Sequence, residues 1–189
     1  MSDAALVEQA SQGDDNAFAL IMNRWQKRIH RFAYRYFGNR ADADDITQKI
    51  FIRVYQKLNS LDDPGKFSSW IYRIANNLCL DELKRAGRRR SESLDFDNTA
   101  SMPLNNQTPA TEMHQKELKK MVQQMLELLP DDQRAVLILK EFEGLKFREI
   151  AEVLDEPEGT VKTRLYAGLT ALRKKLPMQS IKTEYLNYE

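Results

Sequence analysis

Between Phe147 and Leu172 the chain reads FREIAEVLDEPEGTVKTRLYAGLTAL, a spacing that leaves few ways to fold. Phe147, Ile150, Ala151 and Leu154 recur at helical intervals, and after a break Val161, Leu165 and Leu169 follow at steps of four. The pattern predicts two short helices joined by a tight turn at an acidic, glycine-containing corner. The second helix would bury its back and expose Lys162, Thr163, Arg164 and Tyr166 at its front. A pair of this shape can offer side chains to a DNA major groove. An ordinary helical hairpin with a charged face is the alternative.

Charge narrows the choice of partner. The formal net charge over 189 residues is only +1, so a polyanion must be met by local patches rather than by the whole molecule. Residues 84–90, KRAGRRR, hold five basic groups in seven positions, whereas residues 91–115 hold four acidic residues and no lysine or arginine. From Pro157 to Leu176 only Glu158 is acidic, against Lys162, Arg164, Arg173, Lys174 and Lys175. A charged helix face is commonly just solvated surface. Phosphate contact stands level with that reading for the 84–90 run, which ends an amphipathic helix and adjoins a flexible segment.

Upstream, Asp14 and Asp15 precede a long helix with Phe18, Met22, Trp25, Ile29, Phe32 and Tyr36 at steps of three and four, closed by Gly38 and Asn39. Asp42 and Asp45 fit the cap and third position of the next helix, whose buried edge is Ile46, Ile50, Val54 and Leu58. The breakers Asp62, Asp63, Pro64 and Gly65 follow, and then Phe67, Ile71, Ile74 and Leu78 define another apolar edge, with Trp70 read as packing. A short helix around Ala4 to Ala10 leads into this body. Asn76 and Asn77 are poor helix formers, so at least one is expected to make a specific polar contact.

From Ser91 to Thr111 periodicity is lost and Asn, Thr, Ser and Pro accumulate, as in a flexible linker. Helical order resumes with Leu118, Val122, Met125 and Leu129, then Pro130 and Asp131 open a helix holding Val136, Leu137 and Leu139. The expected fold is all-α: two small helical domains, residues 1–90 and 112–176, joined by linker 91–111 and followed by a tail, 177–189. Cys79 is alone, which rules out an internal disulfide, and its apolar setting marks it as a buried small hydrophobe. The N-terminus has no basic region followed by an apolar core, and no apolar run approaches membrane length, so the expected location is the cytoplasm, with no direct membrane insertion.

Two ordered stretches are specific enough to name. ADADDITQKIFIRVYQKL with FSSWIYRIANNLCLDELKR, residues 41–58 and 67–85, and LPDDQRAVLILKEFEGLKFREIAEVLDEPEGTVKTRL, residues 129–165, resemble the bacterial sigma-70 family, extracytoplasmic function group. That resemblance implies promoter-reading domains two and four and a specificity subunit that binds core RNA polymerase and promoter DNA, with no catalytic residues, cofactor or metal. It implies a core-binding surface at Asp44, Asp45, Gln48 and Arg53, although Lys49 replaces a frequently acidic position. For capture of the melted strand near the start site it implies the turn Leu61, Asp62, Asp63 and Lys66, with Arg73, Asn76, Asn77, Lys84, Arg85 and Arg88. For the upstream duplex element it implies Lys162, Thr163 and Tyr166, with Arg164 at phosphate or an internal carboxylate and Thr160 as helix cap. Ala167 stands where a basic residue is common, followed by Gly168. The resemblance also permits an anti-sigma partner, sometimes membrane-bound, and would route the linker acids Glu92, Asp95 and Asp97 near the RNA path.

Two rivals remain from residues alone. A free-standing helix-turn-helix regulator would explain residues 146–172 but leave 41–85 without purpose. A nucleic-acid hydrolase would need paired ligands or a nucleophile, yet His30 and His114 lie far apart in sequence and no metal-binding or nucleophile motif appears.

Overall fold

A computed structural model describes residues 1–92 and 110–175, and every regular element among them is helical. The order is α1 (Asp3–Ser11), α2 (Asp15–Phe37), α3 (Arg40–Lys57), two single 3-10 turns (Leu58–Ser60 and Pro64–Lys66), α4 (Phe67–Glu92), α5 (Ala110–Glu127), α6 (Asp131–Leu137), a π turn (Ile138–Phe142), α7 (Phe147–Leu154) and α8 (Glu158–Lys175). The chain divides into two compact units, Met1–Gln124 and Met125–Glu189, with the boundary inside α5. Linker residues Asp95 and Asp97 and the tail 177–189 lie outside the described residues.

In the first unit, local chemistry sets the helix ends. The Asp14 carboxylate accepts from the Asn16 and Ala17 amides at 2.9 and 3.2 Å, which starts α2, and Gly38 ends it in the left-handed region at φ 70°. The cap of α3 is Asn39 rather than Asp42: its Oδ1 accepts from the Asp42 amide at 2.9 Å, and its Nδ2 donates to the Asp42 carboxylate at 2.7 Å. Asn39 thus opens the next helix instead of closing the previous one, because Gly38 alone supplies the reversal.

Around these ends the apolar edges close on one core. Trp25 of α2 meets Phe67 and Tyr72 of α4 edge-on at 5.5 and 5.8 Å, and Phe32 lies 5.4 Å from Tyr72. All four are fully buried, and each contributes roughly 1.5–3 kcal/mol relative to exposure. The Trp25 indole N–H donates to Asp3 of α1 at 3.1 Å, and Arg24 pairs with the same carboxylate, so α1 is tied to α2 through one acid.

The second unit is arranged around a buried arginine. Arg134 on α6 donates from Nε to the Leu126 carbonyl at 2.9 Å and from Nη2 to the Leu129 carbonyl at 3.1 Å. The Leu126 carbonyl, in the last turn of α5, also accepts from the Leu129 amide at 3.2 Å, so the guanidinium adds a second donor there, supplies one to the Leu129 carbonyl beyond the helix, and sets α6 against that end. Along α8 the buried positions are Val161, Leu165, Gly168 and Leu172, while Leu169 is 42% exposed. Repeated steps of four drift by about 40° each around a helix, so the predicted third member leaves the face and the spacing four, three, four replaces it.

Candidate nucleic-acid interface

The recognition hairpin is built by its ends. The Glu149 carboxylate accepts from the Lys146 amide at 2.6 Å to start α7, and Asp155 ends that helix in the left-handed region at φ 55°. α8 begins at Glu158, directly after Pro157, so Thr160 lies inside the first turn and is not the cap expected from sequence. The Val161 amide donates to the Pro157 carbonyl at 3.1 Å, so the first turn closes on Pro157, ahead of the threonine.

On α8 the exposed front carries Thr163, Tyr166, Ala167, Thr170 and Lys174 along one shallow depression. Tyr166 is 63% exposed. Lys162 borders this face with its ammonium 2.6 Å from the Glu158 carboxylate and 5.4 Å from the Phe147 ring centre. Arg164 points the other way, 3.1 Å from the Asp132 carboxylate and 3.0 Å from that of Glu156. Of the two roles foreseen for it, the internal carboxylate is the one occupied, and it fixes α8 to α6 and to the turn. Gly168 is also turned inward: a Cβ there would meet Gln133 Cβ at 3.5 Å and Leu129 Cδ2 at 3.8 Å. Thr170 also lies on this face, seven residues beyond Thr163 and outside the span of the expected base-facing residues.

The second exposed stripe runs along α4. Arg73, Asn77, Lys84 and Arg88 follow at steps of four, seven and four, so they share one side of the helix, and all four are exposed. Arg85 is exposed nearby, 3.7 Å from Glu82. Asn76 is removed from this set. It is 2% exposed and accepts a hydrogen bond from the Tyr36 hydroxyl at 2.7 Å, so its polar contact is with the core. One residue's difference turns a side chain by about 100° around the axis, which separates Asn76 from Asn77. Trp70, expected in the core, is half-buried beside Phe67 at 6.0 Å. Before α4, Leu61 is half-exposed and Asp62, Asp63 and Lys66 are exposed. Asp63 accepts from the Gly65 amide at 2.9 Å, and a Cβ on Gly65 would stand 3.0 Å from that oxygen.

The third feature is a groove of about 1010 Å³ between α2 and α3, lined by Met22, His30, Asp44, Gln48, Ile52 and Tyr55 among others. His30 Nε2 is 2.9 Å from Asp44 Oδ1 across it. Ile52 and Tyr55 are 51% and 56% exposed, an apolar surface framed by polar groups. Asp45 is exposed beside the groove, whereas Arg53, nine residues from Asp44, faces about 180° away around α3. Lys49 turns to Glu82 of α4 at 3.3 Å rather than to the groove. Among the described residues no group of three or more His, Cys, Asp or Glu is placed to hold a metal ion. No helix among them is long and apolar enough to cross a membrane.

An all-α protein of two units, one with a basic helical stripe and a polar-framed groove and the other with a helix-turn-helix, defines a nucleic-acid-engaging class with three separate working faces. Residues 21–89 match the family model for Sigma-70 region 2, and residues 119–172 match that for Sigma-70, region 4. The chain is 37% identical over 176 residues to the ECF RNA polymerase sigma factor SigW of Bacillus subtilis, covering 90% of this chain and 94% of that relative. It is 33% identical over 180 residues to the RNA polymerase sigma-H factor of Pseudomonas aeruginosa, covering 92% and 93% respectively. The solved structure of CnrH in complex with the cytosolic domain of CnrY matches the fold at a TM-score of 0.67 and 24% identity, over 92% of this chain and 96% of that one. The chain belongs to the sigma-70 family of RNA polymerase sigma factors, extracytoplasmic function group. It is a non-catalytic specificity subunit that directs RNA polymerase to promoters.

Proposed function

We propose that the three faces divide promoter work in a fixed way. Asp44, Asp45 and Gln48, with the apolar Ile52 and Tyr55 beside them, dock core polymerase on the α2–α3 groove. Arg53 adds a contact only where the enzyme reaches around α3. The Leu61–Lys66 turn and the α4 stripe of Arg73, Asn77, Lys84 and Arg88 hold the melted strand near the start site, with Arg85 at its margin. Phosphates meet the cations, and an extruded base, which costs a few kcal/mol to unstack, is held by stacking and edge hydrogen bonds at the turn.

In the second unit α8 enters the major groove of the upstream element with Lys162, Thr163 and Tyr166 forward. Thr160 lies in the first turn, where the exposed amides of a helix N-terminus favour a phosphate. Arg164 holds the helix in place. Residues 1–90 and 112–176 act as the two promoter-reading domains and 91–111 as their connection.

The single observation that carries this reading is that each unit has its own exposed face of polar and basic side chains, while Asn76 and Arg164 beside those faces are held by internal partners. Initiation from a randomised promoter library by core polymerase with and without this chain tests it. The expected result is enrichment of a two-part element that depends on the chain; enrichment of one part alone would contradict the division. An anti-sigma partner is also proposed, since the solved sigma factor RpoE of Bartonella quintana is in complex with the anti-sigma factor NepR and shares this fold at a TM-score of 0.65. It would cover the same groove, and a membrane-anchored version would hold the chain peripherally.

A further inference from the structure

Between Lys162 and Lys174, the exposed Tyr166 hydroxyl apart, the front of α8 is short of hydrogen-bond donors. Thr163 Oγ1 donates to the Gly159 carbonyl at 2.9 Å, and Thr170 Oγ1 donates to the Tyr166 carbonyl at 2.8 Å. Both hydroxyl hydrogens are thereby committed to the helix's own backbone. The depression they line with Ala167 and Ala171 is consequently furnished with methyl groups, under the exposed Tyr166 ring, and only Lys174 closes its far end with a charge. At the near end the Lys162 ammonium is 2.6 Å from Glu158.

We infer that the centre of the upstream element is read through the C5-methyl groups of thymine, packed against Thr163, Ala167 and Thr170. Thymine is the one base that offers a methyl group in the major groove, and alanine and threonine methyls are its natural contacts. Guanine at the same place would present O6 and N7 to the methyl-lined stretch of Thr163, Ala167 and Thr170, where both hydroxyl hydrogens are taken by the helix, and would lose water there without replacement. The flanking cations Arg173 and Lys174 suit a phosphate-bordered groove, which commits the occupant to DNA rather than to an apolar protein surface. This rests on the reading that α8 enters the upstream duplex.

The experiment uses the full chain with core polymerase to select from duplexes randomised in the upstream element, then rebuilds the recovered element with deoxyuridine in place of thymidine. That exchange deletes only the methyl group. The expected result is an element with thymines opposite the centre of α8 and an occupancy loss of about fourfold for each methyl removed, the value of one buried methyl-sized group. Thr163→Ser and Thr170→Ser keep the hydroxyl-to-carbonyl bonds but lack the methyls, so together they should reduce discrimination between thymidine and deoxyuridine to the part that Ala167 supplies. An element without central thymines, or equal occupancy with deoxyuridine, overturns the inference while leaving the groove reading intact. Recovery of no upstream element overturns both, and would assign the apolar face of α8 to a protein partner.

Discussion

The Tyr36 hydroxyl of α2 donates to Asn76 Oδ1 of α4 across 2.7 Å, with both residues 2% exposed. A side chain that would be a plausible base reader on the surface is thus a structural link between two helices. Tyr36→Phe leaves a buried acceptor without this donor and is expected to cost about 1–3 kcal/mol. Pairing it with Asn76→Leu should recover part of that loss, because both polar groups are then gone. Chemical denaturation of the four members of the cycle checks this, and promoter sequence preference should be the same for every variant that remains folded.

Arg164 is expected to act by positioning. Replacing it with Ala frees Asp132 and Glu156, lowers stability by on the order of 1 kcal/mol for a partly exposed pair, and loosens the seat of α8. Selectivity at the upstream element should fall while competition for core polymerase is unchanged. Arg164→Lys should restore only part of it, since one ammonium replaces a fork that meets two acids.

Gly168 packs against α6 at ordinary contact distances, so Ala fits without displacing Gln133. Gly168→Ala should stabilise the second unit by up to about 1 kcal/mol through helix propensity, raising its melting temperature by a few degrees with upstream selection unaltered. Ala167, one residue back, is exposed on the groove face, and its change to Arg should instead strengthen salt-dependent DNA binding while weakening selection of thymine at the centre of the element.

Cys79 is fully buried, and burial pushes its thiol far above the ordinary value of 9.0 because the thiolate would lose its hydration. The folded protein should therefore resist alkylation that goes to completion in denaturant. The sign for stability follows: the unfolded chain releases the proton near its ordinary value and the folded chain does not. Folding thus weakens as pH rises above about 9, and Cys79→Ala should remove that component.

Much of this molecule was legible because helices announce themselves by period. The α2 stripe, the Gly38 stop and the helix-turn-helix all follow from spacing and local backbone chemistry. Less legible was what depends on a turn of one residue. Asn76 and Asn77 are equivalent as letters, and only the phase of α4 buries one and exposes the other. The cap of α3 was placed at Asp42 because two capping residues compete within four positions, and Gly38 decides between them by ending α2 alone. Thr163 looks like a donor in sequence, yet the Gly159 carbonyl takes its hydrogen. The inward aim of Arg164 depends on Asp132, thirty-two residues away, which no local pattern conveys.

The central claim is the separation of polymerase docking on α3 from duplex reading on α8. It is tested most directly by measuring, in the same assay, competition for core polymerase and selectivity for the upstream element in Lys162→Ala and in the Asp45→Ala, Gln48→Ala double variant. Lys162→Ala should lose upstream selectivity with core competition intact, and the double variant should lose core competition while any holoenzyme it forms keeps its promoter choice. The opposite pairing of variant and defect would contradict the account.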